Sequence, residues 1–133
     1  MGFRFLDTGS GRAAENMALD ESIMEHVAAG SSPPTLRFYG WEPPSVSIGY
    51  FQSLQEEVDT EVCASLGVDV VRRLTGGGAV FHDAELTYSI IAPADRFPDD
   101  ILESYRLICA GLIKGLAGIG VEAEFAPLND IVA

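Results

Sequence analysis

Arg72-Arg73-Leu74-Thr75-Gly76-Gly77-Gly78-Ala79-Val80-Phe81-His82-Asp83 gathers more chemistry than any other stretch of this chain. Two fixed cations precede a hydroxyl, three residues without side chains, and an imidazole next to a carboxylate. Consecutive glycines let the backbone take φ > 0 and bring its N–H groups within contact distance of a ligand, which a Cβ would prevent. Guanidinium is the side chain matched to carboxylate and phosphate. Together these residues describe a cradle for an anion. Arg72 and Arg73 supply charge, Gly76 to Gly78 supply backbone donors, and Thr75 offers a hydroxyl to a carbonyl or a phosphate. His82 either hydrogen-bonds the ligand or orients the loop. The competing structural readings are a tight turn between two strands for the glycines, an ion pair for Arg73, and a packed, hydrogen-bonded position for His82.

The loop needs elements to hold it, and its flanks provide them. Asp69-Val70-Val71-Arg72 leads in as a short strand and Ala79-Val80-Phe81-His82 leads out as another. Upstream, Phe3, Phe5 and Leu6 read as an opening strand that Gly9-Ser10-Gly11 breaks. A helix follows from about Arg12 to Ala28, its apolar face built on Met17, Leu19, Ile23, Met24 and Val27. Glu15, Asp20, Glu21 and Glu25 fall on the other side, as a solvated acidic face, and His26 sits where a cation complements the helix dipole. Thr35–Tyr39 and Ser45–Gly49 read as strands on either side of the turn Gly40-Trp41-Glu42-Pro43-Pro44. A helix from about Glu56 to Leu66 stops at Gly67. Thr87–Ala92 is a strand, Ile101–Ala117 a long amphipathic helix, and Val121–Phe125 a strand. A turn at Ala126-Pro127-Leu128 leads to a last strand starting at Asn129-Asp130. Consecutive strands mixed with helices predict an α+β fold, a mixed or antiparallel sheet with packing helices. No linker or repeat divides residues 1–133, so one domain without an internal boundary is expected.

Composition limits what the cradle serves. A formal net charge of -12 and a pI near 4.3 argue against nucleic acid and against an anionic membrane surface. Any phosphate site must therefore be local. A hydrophobic content of 47% supports an ordinary core. No signal-peptide pattern and no apolar run long enough to span a bilayer occur, so a cytoplasmic location is expected. Cys63 and Cys109 fall within predicted helices without metal-ligand spacing, as reduced packing thiols. Lys114 is the only lysine among the eight cationic residues, placed late on the long helix as a dipole partner or surface charge.

Arg72 to Asp83 resembles the signature segment of the lipoate-protein ligase family, Arg-Arg-x-Ser/Thr-Gly-Gly-Gly-Ala-Val-Phe-His-Asp, at every specified position. Glu15 to Glu21, Leu36 to Trp41, Val46 to Gly49 and Asn129-Asp130-Ile131 support the match. The resemblance implies a biotin-ligase or class II synthetase type of catalytic domain. It implies ATP-dependent activation of lipoate or octanoate to an acyl-adenylate, then transfer to a lysine of a lipoyl domain or of the glycine-cleavage carrier. Arg72, Arg73, Thr75, Gly76, Gly77, Gly78, Ala79, His82 and Asn129 would surround the adenylate. Trp41 would border the acyl pocket, the alternative being a place in the core. Asp130 would bind the Mg that accompanies ATP, the alternative for Asn129-Asp130 being a turn cap.

One departure from the family pattern stands out. Family members carry a catalytic lysine in a Lys-x-Ser-Gly-like motif shortly after the Asn-Asp-Ile segment, and that position lies beyond Ala133. The chain is accordingly expected to be a C-terminally incomplete catalytic domain, completed by further sequence or a second chain. The competing functions are an octanoyl or lipoyl transferase with a cysteine nucleophile, a non-catalytic lipoyl-binding module, and, more remotely, a biotin ligase. Against the transferase, no cysteine lies near Ala126 to Ile131.

Overall fold

In β2 (Thr35–Trp41) the residues Thr35, Arg37, Tyr39 and Trp41 alternate onto one buried face, the period of two that a strand imposes. The computed structural model describes residues 2–133, and the chain divides into two compact units at Ala92/Pro93. That division is a finding the composition did not announce, since no Gly- or Ser-rich linker marks it.

In the first unit, β2 is the centre of a three-stranded sheet. β1 (Arg4–Gly11) lies parallel on one side and β6 (Thr87–Ile91) antiparallel on the other. β1 does not stop at Gly9-Ser10-Gly11 as expected. Asp7 accepts a hydrogen bond from the Gly9 N–H, Gly9 takes φ 65°, and pairing resumes at Ser10↔Gly40 and Gly11↔Trp41. The glycines therefore make a bulge rather than an end. A second three-stranded sheet has the order β4-β3-β5. β3 (Ser45–Ile48) runs parallel to β4 (Asp69–Arg72) and antiparallel to β5 (Val80–His82). The expected α+β class with mixed sheets is thus observed.

α1 (Ala13–Ala28) packs across strands of both sheets, with Ala13 and Met17 against Tyr39, Trp41 and Val71. It ends where Gly30 takes φ 71° and the Ser31 N–H reaches back to the His26 carbonyl, a glycine-dependent stop. The side expected to be a solvated acidic face is not uniform. Asn16 and Asp20, one turn apart, point inward, where the buried Arg37 donates to the Asn16 carbonyl, to Asn16 Oδ1 and to the Asp20 carboxylate. The helix expected over 56–66 is two, α2 (Leu54–Glu57) and α3 (Thr60–Leu66). Val58 is extended, and Asp59 caps α3 by accepting from the Val62 N–H. Gly67, at φ 69°, ends α3 as expected.

The second unit holds a 3-10 turn (Ala94–Arg96), α4 (Ile101–Gly118), and a hairpin of β7 (Glu124–Ala126) and β8 (Asp130–Val132). Asp100 caps α4 through the Glu103 N–H. Cys109 is buried on that helix, and the Arg106 guanidinium lies 5.3 Å over the Phe125 ring. Lys114 is exposed and precedes the last turn, which carries no basic residue. Among the described residues no helix is long and apolar enough to cross a membrane.

Candidate functional site

The glycine loop is not a hairpin turn between the strands that flank it. β3 lies between β4 and β5, so residues 73–79 must arch over the end of β3. Three contacts fix the arch. The Arg73 N–H donates to the Ile48 carbonyl at 2.9 Å, and the Tyr50 N–H donates to the Thr75 carbonyl at 2.9 Å. The third contact is steric: a Cβ on Gly49 would stand 2.1 Å from the Gly77 carbonyl oxygen. Gly49 is therefore glycine because the loop rests on it, a need that Val46-Ser47-Ile48-Gly49 alone did not reveal.

Arg72 is exposed and Arg73 half-buried, and both guanidiniums are engaged by main-chain carbonyls. Arg72 Nη1 donates to the carbonyls of Gly49, Tyr50 and Gln52, at 3.1, 3.0 and 2.6 Å. Arg73 Nη1 donates to the carbonyl and hydroxyl of Ser47, and its Nη2 to the carbonyls of Gly76 and Gly78 at 3.0 and 2.8 Å. In this structure their donors rest on main-chain carbonyls and the Ser47 hydroxyl. Yet neither has a carboxylate within ion-pair distance among the described residues, so the ion pair considered for Arg73 is not formed. Burial pushes the Arg73 guanidinium down from its ordinary value, but a guanidinium stays charged in proteins. Two positive charges thus remain uncompensated under the loop.

With the Gly76 and Gly78 carbonyls turned toward Arg73, the N–H groups of Gly76, Gly77 and Gly78 enter none of the hydrogen bonds among the described residues. Only Gly77 has positive φ, at 98°, and a Cβ there would meet Arg73 Nη2 at 3.3 Å. A Cβ on Gly76 or Gly78 would meet nothing within 4 Å. The loop is exposed along Thr75, Gly76, Gly77, Gly78 and Ala79.

His82 is 6% exposed, with its ring stacked on Trp41 at 4.0 Å between centroids. Its Nε2 is 2.7 Å from Ser47 Oγ, and its Nδ1 is hydrogen-bonded to the Glu85 carboxylate. Both ring nitrogens are taken, leaving none for a ligand in this arrangement. Trp41 is likewise buried, its Nε1 donating to Thr87 Oγ1; of the two places considered for it, the core is where it sits. Ser47, Glu85 and Thr87 carried no signal in the sequence, because isolated Ser, Glu and Thr residues on strands and turns are ordinary.

In the second unit, Asn129 closes the β7–β8 hairpin and the exposed Asp130 starts β8. No group of three or more His, Cys, Asp and Glu that could hold a metal ion occurs among the described residues. Burial pushes the Cys109 thiol up, with the Asp130 charge adding to it. Cys63 is half-buried on α3 and lines a groove of about 630 Å³ with Arg12, Pro43, Leu54 and Asp69.

Comparison with known proteins places these features. Residues 12–133 match the family model described as "Lipoyl protein ligase A/B catalytic domain". "Octanoyltransferase LipM" of Kyrpidia tusciae is 50% identical over 126 residues, 93% of this chain and 46% of that protein. The protein of the same name from Geobacillus kaustophilus is 46% identical, covering 93% of this chain and 45% of that one. Among solved structures, lipoate-protein ligase A bound with ATP superposes at a TM-score of 0.83, with 36% identity over 98% of this chain and 52% of that one. The bi-partite lipoate protein ligase of Thermoplasma acidophilum, described with its E2 lipoyl domain, gives 0.82 and 34% identity, covering 98% and 51%. The chain spans about half the length of the relatives it matches. It belongs to the lipoyl protein ligase A/B catalytic domain family.

Proposed function

We propose that this chain carries the acyl-group cradle of an enzyme that transfers an octanoyl or lipoyl group to a lysine of a lipoyl-carrier domain, with an acyl thioester as donor. The observation that carries the reading is the arch itself: uncommitted N–H groups on an open glycine face, backed by two guanidiniums without carboxylate partners. Acyl transfer develops negative charge on one carbonyl oxygen, and preorganised donors aimed at that oxygen each contribute roughly 3 kcal/mol. Thr75, Gly76, Gly77, Gly78 and Ala79 are the residues in this reading that touch the acyl carbonyl, while Arg73 holds the loop and Arg72 braces the segment 49–52 on which it rests.

The thioester donor is favoured over the ATP-dependent activation first expected, for two reasons. The curated relatives matched above are named octanoyltransferases. Moreover, the guanidiniums that were to neutralise phosphate oxygens are occupied by carbonyls. Neither cysteine of the chain suits the nucleophile's role: Cys109 is buried with its thiol pushed up, whereas a nucleophile must be ionised and reachable, and Cys63 lines a groove that shares no residue with the glycine loop. The reading therefore draws its thiol from a part of the enzyme outside these residues.

A second reading, adenylation of free lipoate or octanoate by ATP, rests on the likeness to a ligase bound with ATP and on the Asn129-Asp130 pair. A single exposed carboxylate such as Asp130 suits Mg, which takes most of its ligands from water and phosphate. The two readings separate on nucleotide dependence. Supplied with octanoyl-carrier protein and an apo-lipoyl domain but no ATP, the enzyme containing this chain should add one octanoyl mass to the acceptor. A requirement for free acid with ATP and Mg would replace the thioester reading by the ligase.

A further inference from the structure

We propose that Trp41, Thr87, Glu85, His82 and Ser47 form a hydrogen-bond relay, its donors meeting at Glu85, that positions Arg73, and through it the glycine loop. The proposal rests on the acyl-cradle reading above for its kinetic consequence, but not for its geometry.

The direction follows from what each group can donate. Indole Nε1 and guanidinium are donors only. Trp41 Nε1 gives its hydrogen to Thr87 Oγ1 at 2.8 Å, so the Thr87 hydroxyl is left to donate onward, and it reaches Glu85 Oε1 at 2.9 Å. The Glu85 carboxylate can only accept, so the His82 nitrogen bonded to it, Nδ1, carries the proton. At the other end, Arg73 Nη1 donates to Ser47 Oγ at 2.7 Å. Ser47 Oγ also lies within hydrogen-bond distance of His82 Nε2, at 2.7 Å, which links the arginine to the imidazole. Donors from Thr87 and from His82 thus converge on the Glu85 carboxylate. Arg73, pinned by Ser47, turns its other amino group onto the Gly76 and Gly78 carbonyls. That contact holds the carbonyls inward and leaves the loop N–H groups outward.

Ser47, His82 and Glu85 also have the order of a nucleophile, its base and an orienting acid. Burial decides against that role. Ser47 is 0% exposed, and its oxygen already accepts from a cation, which opposes nucleophilic attack. These are positioning residues.

Glu85 is the informative place to cut, because its side chain is 37% exposed and its loss spares the packing. In the full enzyme, Glu85→Ala should lower kcat about tenfold, the order expected for one hydrogen bond to a charged group, with KM for octanoyl-carrier protein within about twofold. Glu85→Gln, whose amide oxygen still accepts from Nδ1–H, should restore most of kcat. Ser47→Ala should reproduce the Glu85→Ala effect. The readout independent of activity is hydrogen exchange at the Tyr50 amide, which is bonded to the Thr75 carbonyl. It should quicken about tenfold in Glu85→Ala and stay near the parent rate in Glu85→Gln. Unchanged Tyr50 exchange in Glu85→Ala would overturn the relay, as would labelling of Ser47 by a fluorophosphonate. A parent enzyme with no thioester-dependent transfer would remove the acyl-cradle reading while leaving the exchange experiment to decide the relay.

Discussion

Arg37 and Arg73 are the same residue type in the same unit, and the chain treats them in opposite ways. Arg37 is 1% exposed and ends on a carboxylate: its Nη1 is 2.8 Å from Asp20 Oδ1, with Asn16 and Thr8 taking its other donors and the Tyr39 ring 3.9 Å below. The Asp20 carboxylate is shared further with the Tyr39 and Ser89 hydroxyls, and burial together with that charge pushes the Tyr39 phenol up. The cluster is electrically closed. Arg73 ends only on carbonyls and a hydroxyl. One arginine is neutralised where it ties α1 to β2; the other keeps its charge where the chain leaves backbone donors open. In a protein of net charge -12, a partly buried arginine without a carboxylate is the more informative of the two.

That contrast can be broken from either end. The largest effect is expected at Asp20→Ala, which strands the buried guanidinium of Arg37. A loss of about 3–5 kcal/mol is expected for removing one partner of a buried pair, measured by chemical denaturation. If Asp20→Ala melts within 1 kcal/mol of the parent, roughly the value of an exposed pair, the cluster is not closed as described. Next comes Arg73→Ala, which strands no carboxylate. Its stability cost should be clearly smaller than that of Asp20→Ala, while kcat for acyl transfer falls on the order of a hundredfold. Arg73→Lys should recover little, since an ammonium cannot reach Ser47, Gly76 and Gly78 together. The reverse ranking in the two assays would show that the arginines have been assigned to the wrong tasks.

Smaller effects sharpen the picture of the arch. Gly49→Ala inserts a Cβ against the Gly77 carbonyl and should cost about 1–3 kcal/mol, the range for overpacking, along with a loss of transfer. Equal stability and activity in that variant would mean the arch does not rest on β3. At the bottom of the scale, the exposed Lys114 should be replaceable by Ala within about 0.5 kcal/mol and without kinetic consequence.

Much of this was legible from residue order, and the exceptions share a physical cause. Strands and helices with strong local signals lie where expected: Asp69–Arg72, Thr87–Ile91, α4, and the stop at Gly67. What local pattern could not supply was the third dimension of polar groups. Asp20 read as solvent-facing because helical periodicity separates faces but does not say that a buried arginine waits opposite one of them. Gly9 read as a breaker because a glycine with φ > 0 ends a strand as readily as it bulges one. Val58-Asp59 concealed a cap inside an apparently continuous helix. The cradle was recognisable from its composition. That its arginines serve the backbone depends on β3 being threaded between β4 and β5, which no spacing within Arg72 to Asp83 expresses. ATP-dependent activation of the acid was read from the family motif, whereas relatives named octanoyltransferase fit the transferase alternative better.

The threading of β3 carries one more consequence. Because the arch closes over a strand that comes earlier in the chain and is hydrogen-bonded on both edges, it cannot acquire its shape until all three strands have docked. Partly assembled forms will therefore present neither the outward donors nor the braced cations, and ligand capture becomes a gauge of completed assembly.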